Sequence, residues 1–199
     1  MNNIPGTSFH ITYEHRLIAL LLFMGGMVIY DFVKNPPGQR QRWRNYGFIL
    51  AAGLIGAAFG LGVDLCTSQV SVDYFIHGKG ITYDNSFMLN VMRLGLKAGF
   101  SAGAVTGCVF VVVNADKSRV DYLFPYLILP LLLAMFAGSV LGCFQFQTGW
   151  ITQREVIAAL GLFRAKYFTT VWMTHVGVYA GGLAGILIGC ATIYSHSRH

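Results

Sequence analysis

Apolar residues in this chain run in long unbroken blocks, and polar residues gather in the gaps between them. The blocks fall at about 15–33, 46–66, 89–113, 121–145 and 167–193. A membrane-crossing helix needs about 20 predominantly apolar residues, so each block predicts one spanning α-helix. The first is the shortest, "LIALLLFMGGMVIYDF" between Arg16 and Lys34. It lacks a basic leader and a small-residue cleavage site, and is expected to be a retained helix rather than a signal peptide.

Within the third and fifth blocks glycine recurs every fourth residue: Gly95, Gly99, Gly103 and Gly107, then Gly177, Gly181, Gly185 and Gly189. At helical spacing each set forms one flat stripe. Small stripes let helix backbones approach closely inside a membrane, where tight contact replaces the hydrophobic drive to associate. The two ladders are offset by 82 positions, and the same gapless offset pairs Gly56 with Gly138, Gly60 with Gly142, Asp73 with Glu155, Arg93 with His175 and Cys108 with Cys190. The pattern predicts tandem duplication of a two-helix unit. Its parts are a leading helix and basic loop (1–45), repeat 1 (46–113), a linker (114–127) and repeat 2 (128–195). The expected fold is all-α, a polytopic membrane protein of about five transmembrane helices.

Composition supports that class: charged residues make up 11% of the chain and apolar ones 55%, against about a quarter charged in soluble domains. The net charge of +6 is accounted for by basic loops facing anionic lipid, so nucleic acid is not an expected partner. Lys34, Arg40, Arg42 and Arg44 crowd the first loop, Lys117 and Arg119 the third, and Arg198 the tail. The positive-inside rule then predicts the N-terminus outside and the C-terminus in the cytoplasm. Cys66 and Cys143 fall near the outer ends of the second and fourth helices, where a disulfide is conceivable without support from the repeat. Cys108 and Cys190 are expected to be small buried packing residues.

With this orientation the polar groups collect in the outer half: His10, His15, Asp64, Asp73, His77, Arg93, Lys97, Glu155, His175 and Tyr179. Ionisable groups within spans are expensive and point to function. Arg93 and Lys97, like His175 and Tyr179, stand at i, i+4 and point away from their own glycine stripes. Each of these helices thus offers a flat face to one neighbour and a polar face to something else. Arg93 is expected either to pair with Asp64, Asp73 or Glu155 or to bind an anion. His175 serves either a structural hydrogen bond or a metal, haem or proton site. Asp31 is expected to pair with Lys34 or a nearby loop arginine, and Pro130 to kink the fourth helix or open carbonyls to a cavity. The stretch around Val156, Ile157, Leu160 and Phe163 reads as a short amphipathic interfacial helix. No Walker loop, GxSxG, HExxH or dinucleotide fingerprint occurs, so standard hydrolase, kinase and dehydrogenase readings have no support.

The runs "VSVDYF" and "WMTHVGVYAGGLAG" resemble a loose, functionally uncharacterised group of small bacterial integral membrane proteins. That group has an acid-Tyr-Phe motif, matched here by Asp73, Tyr74 and Phe75, and a Trp-x-His…Tyr-x-x-Gly helix, matched by Trp172, His175, Tyr179 and Gly182. The resemblance implies a bacterial inner membrane and no particular reaction. Three readings of function remain open. One is a site between the repeats formed by Asp73, Arg93, Glu155, His175 and Tyr179, binding or passing a small solute or ion. Another is a non-catalytic accessory subunit of a larger membrane complex, or a homo-oligomer, docking through its glycine stripes. The third is a redox protein holding copper or haem through His175 with His15 or His77. An enzyme is the less expected outcome.

Overall fold

The computed structural model of the chain describes residues 13–36, 42–114, 120–151 and 154–197. His10, Arg40, Lys117, Arg119 and Arg198 lie outside them. In chain order the α-helices are α1 (Tyr13–Lys34), α2 (Arg42–Val70), α3 (Phe87–Val113), α4 (Ile128–Thr148), α5 (Arg154–Leu160) and α6 (Leu162–Ser197). A π-helical turn at Tyr74–Gly78 follows α2, and a 3₁₀ turn at Asp121–Leu127 leads into α4. Five of these segments are long and apolar enough to cross a membrane, namely α1, α2, α3, α4 with its 3₁₀ turn, and α6. No strand occurs among the described residues. The protein is therefore an all-α, multi-pass membrane protein in contact with the lipid bilayer.

The chain divides into two compact units, Met1–Tyr46 and Gly47–His199. In the first, buried Asp31 accepts the backbone N–H of Arg42 at 3.1 Å and the side-chain amide of Asn35 at 2.6 Å. Its Oδ1 stands 3.9 Å from the Arg42 Nε. The partner is thus a loop arginine, as one of the two expectations had it. The fold places that arginine at the first residue of α2, where a carboxylate satisfies an unpaired N–H and the positive end of the helix dipole.

In the second unit α2 packs on α3 and α4 on α6, through glycines that leave no room for a side chain. A Cβ at Gly60 would stand 2.9 Å from the Gly99 Cα, and one at Gly56 would stand 2.8 Å from the Gly103 Cα. Across α4 and α6, a Cβ at Gly177 would lie 2.7 Å from the Gly138 Cα, and one at Gly185 would lie 2.7 Å from the Pro130 nitrogen. Pro130 occupies the first turn of α4, where its missing N–H costs nothing. It is buried against Gly185, and Pro125 lies in the preceding 3₁₀ turn. Gly189 departs from its ladder: its small size seats the Phe110 ring of α3, 2.8 Å from where a Cβ would be.

The contact register differs between the two pairs. Gly95 lies on Gly60, but Gly177, its counterpart at the offset of 82, lies on Gly138, whereas Gly142 faces Thr174. The second pair is slid by about one helical turn relative to a gapless offset.

Apolar packing closes both ends of this unit, with Phe48, Phe110, Leu123 and Ile193 in one cluster and Tyr74, Phe75, Val91 and Val171 in another. All four cysteines are free thiols. Cys190 packs beside the first cluster, but Cys108 is exposed rather than buried, because the glycine face of α3 turns it away from α2. Helix α5 stops at Gly161, whose φ of 76° suits glycine. Phe163 then belongs to the start of α6, where it is exposed.

Candidate functional site

The helix pairs α2–α3 and α4–α6 leave a cavity of about 460 Å³ between them. Its walls are glycine, alanine and branched apolar side chains contributed by all four helices, and polar groups line it at Asp64, Lys79, Ser101, Thr106, His175 and Tyr179. Asp64 and His175 are both buried, at 6% and 4% exposure. Asp64 follows Gly56 and Gly60 at four-residue spacing, so one face of α2 carries both the close contact with α3 and the carboxylate.

His175 is held from three sides. Its Nε2 stands 3.3 Å from the Thr67 Oγ1 and 3.7 Å from the Asp64 Oδ1. The Thr67 hydroxyl has a single proton, which it donates to the Val63 carbonyl one turn back at 2.8 Å. Thr67 therefore accepts from His175, which assigns a proton to Nε2 and leaves Nδ1 as the acceptor of the neutral ring. Tyr74 stacks on the imidazole, with centroids 4.9 Å apart and planes 19° from parallel, and Phe75 meets it edge-on at 6.3 Å. The π-helical turn makes this possible, since it buries two consecutive aromatic residues at the end of α2. Burial raises the Tyr74 phenol above its ordinary value. Lys79, exposed on the segment after that turn, sets its ammonium 5.4 Å from the centre of the Tyr74 ring.

Beyond this cluster an ionic clasp joins the segment after α2 to the start of α6. The Arg164 guanidinium grips Asp73 in a bidentate pair, Nε to Oδ2 at 2.9 Å and Nη2 to Oδ1. Hydrogen bonding from Arg164 holds the Asp73 carboxyl below the usual carboxylate range.

The structure sorts the expected site residues accordingly. His175 and Tyr179 line the cavity; Tyr179 is 57% exposed, with its ring 6.3 Å from the imidazole. Asp73 is engaged by Arg164 rather than by Arg93. Arg93 is exposed on α3 and makes no ion pair among the described residues, and Glu155 is exposed on α5. His77 is exposed on the π turn, and His15 is exposed on α1 in the other unit. Among the described residues no three His, Cys, Asp or Glu side chains converge to hold a metal ion.

Asp64 entered the sequence reading as one of the outer polar groups and a possible partner for Arg93, not as a site residue, although its place on the Gly56–Gly60 stripe was a usable signal. Thr67 and Arg164 carried none, since a threonine in an apolar helix and an arginine in a mixed loop are ordinary. Comparison with known proteins yields no relative: no family model, curated protein or solved structure matches this chain.

Proposed function

We propose that this protein binds, and passes, a small amphiphilic solute in the cavity between its two helix pairs. The observation that carries the reading is an apolar chamber of about 460 Å³ that also exposes Asp64, His175 and Tyr179. Small-molecule sites combine apolar walls with a few placed polar groups, and ionisable groups buried within spans mark solute or ion paths. His175 and Tyr179 remain from the expected set, Asp64 joins them, and the Asp73–Arg164 pair positions the segment that carries Tyr74. Arg93 and Glu155 have no part in it.

The same proposal includes a bacterial inner membrane, on the strength of the acid-Tyr-Phe and Trp-x-His motifs. It takes the N-terminus outside and the C-terminus in the cytoplasm, because the first loop is basic. It also takes the two helix pairs as copies of one ancestral unit, a familiar way to build a site at a repeat interface.

The test is thermal unfolding of the purified chain in neutral micelles against a panel of small amphiphiles. A ligand at a hundred times its Kd stabilises by about 2.7 kcal/mol. Ala98→Leu adds bulk to an exposed lining position and is expected to abolish that gain while the variant still folds. Equal stabilisation of both proteins refutes the cavity as the site.

A further inference from the structure

The buried carboxylate of Asp64 specifies the ligand further, on the reading of the cavity as a small-molecule site. Asp64 lines that cavity at 6% exposure. Among the described residues the basic side-chain nitrogen within 4 Å of it is the His175 Nε2, 3.7 Å away and beyond hydrogen-bond length, on a neutral ring whose N–H is already directed to Thr67 at 3.3 Å. Lys79, the cation on the cavity lining, is exposed, lies over the Tyr74 ring and makes no ion pair among the described residues. The contrast with Asp73, which holds a bidentate arginine, is direct: one acid has a full partner in the protein, and the other faces an apolar chamber with only the longer-range field of Lys79. A carboxylate in such surroundings stays ionised only beside a counter-charge. The cavity also presents the rings of Phe59 and Tyr179, and aromatic faces attract cations.

We propose that the cavity binds an organic monocation, an apolar body bearing a protonated or quaternary amine, with the Asp64 carboxylate as its counter-charge. His175 lies beside the carboxylate with its N–H taken up by Thr67, so the charge of Asp64 is left for the ligand. The apolar walls accept the body of the ligand, and Lys79, with the same sign as the ligand, weakens binding.

The experiment is calorimetric titration of the full chain in neutral micelles with decyltrimethylammonium, decanol and decylsulfonate, each corrected against protein-free micelles. The three share one chain and differ in head charge. The expected result is saturable binding of the ammonium compound, tighter than either other compound by at least roughly tenfold. Asp64→Asn is expected to erase that preference, Asp64→Glu to retain most of it, and Lys79→Gln to increase it. Should Asp64→Asn fail to fold, the ranking on the unmutated chain and the Asp64→Glu result decide. If decanol or decylsulfonate binds as tightly as the ammonium compound and Ala98→Leu blocks it, the cation proposal is overturned while the cavity reading stands. If none of the three binds saturably, both fall.

Discussion

Replacing Gly99 by alanine tests the packing of the second unit most directly. A Cβ there would stand 2.8 Å from the Gly56 carbonyl carbon and 3.1 Å from the Ala57 Cα, with the Gly56 oxygen closer still. All three are backbone atoms of α2, so none can swing aside. Carbon–carbon contact is comfortable at about 3.5–4.0 Å, so the helices must part by on the order of 1 Å. Because close backbone contacts continue on both sides of Gly99, the separation is felt at Gly56, Gly60, Gly95 and Gly103 together. Overpacking of this kind costs about 1–3 kcal/mol, and lipid supplies no hydrophobic drive to force the pair closed. Alanine's better helix propensity offsets up to about 1 kcal/mol. The matched control is Gly62→Ala, where a Cβ meets nothing within 4 Å and only the propensity gain applies. The difference between the variants is therefore about 2 kcal/mol, which for a chain of this size corresponds to about 4–8 °C in Tm. Thermal unfolding in neutral micelles, followed by tryptophan fluorescence, measures it. Equal Tm values for Gly99→Ala and Gly62→Ala would refute the close backbone contact.

Two other substitutions probe the polar framework. Asp73→Asn is expected to lower stability at neutral pH by about 1 kcal/mol, a modest figure because the Arg164 side chain is 59% exposed. Since Arg164 depresses the folded-state value of Asp73, the pair's contribution is present above the unfolded-state value near 4 and disappears as pH falls through the folded one. The gap between variant and parent should close on acidification, and a gap independent of pH between 7 and 3 refutes the account. Gln145→Ala removes a fully buried amide that donates to Thr169 Oγ1 at 3.0 Å and accepts the Ile151 N–H at 3.0 Å. The expected loss is about 1–3 kcal/mol, accompanied by faster hydrogen exchange at the Ile151 amide; unchanged exchange there counts against the bond.

Much of the site was out of reach of sequence pattern alone. The polar face of α6 was legible from His175 and Tyr179 at i, i+4, and so was its direction away from the glycine stripe. Treating Arg93 as the equivalent of His175 led elsewhere. His175 is buried under Tyr74 and Arg93 is exposed, because the π-helical turn after α2 covers the face of α6 that carries His175, whereas on α3 it packs against Phe87 and Val91 and leaves Arg93 outside. Local periodicity reports which residues share a face, and it carries no information about which neighbour covers that face. The partner of Asp73 was missed for a related reason, since Arg164 is 91 residues away and nothing in a mixed loop distinguishes it from Arg154 or Lys166.

What the sequence determined by itself is the membrane class, the five long helices and the glycine faces. These follow from local quantities: the length of apolar runs, set by bilayer thickness, and a four-residue spacing that repeats along one side of a helix. Tertiary structure decided that the ladder of α3 closes on α2 and that of α6 on α4, Gly99 on Gly56 and Gly181 on the Leu133–Ala134 backbone. It also set the one-turn shift between the pairs and brought Asp64, Thr67, Tyr74 and His175 together. Those outcomes depend on how far one backbone slides past another, and in lipid that distance is set by the fit of whole surfaces, to which no single segment holds the answer.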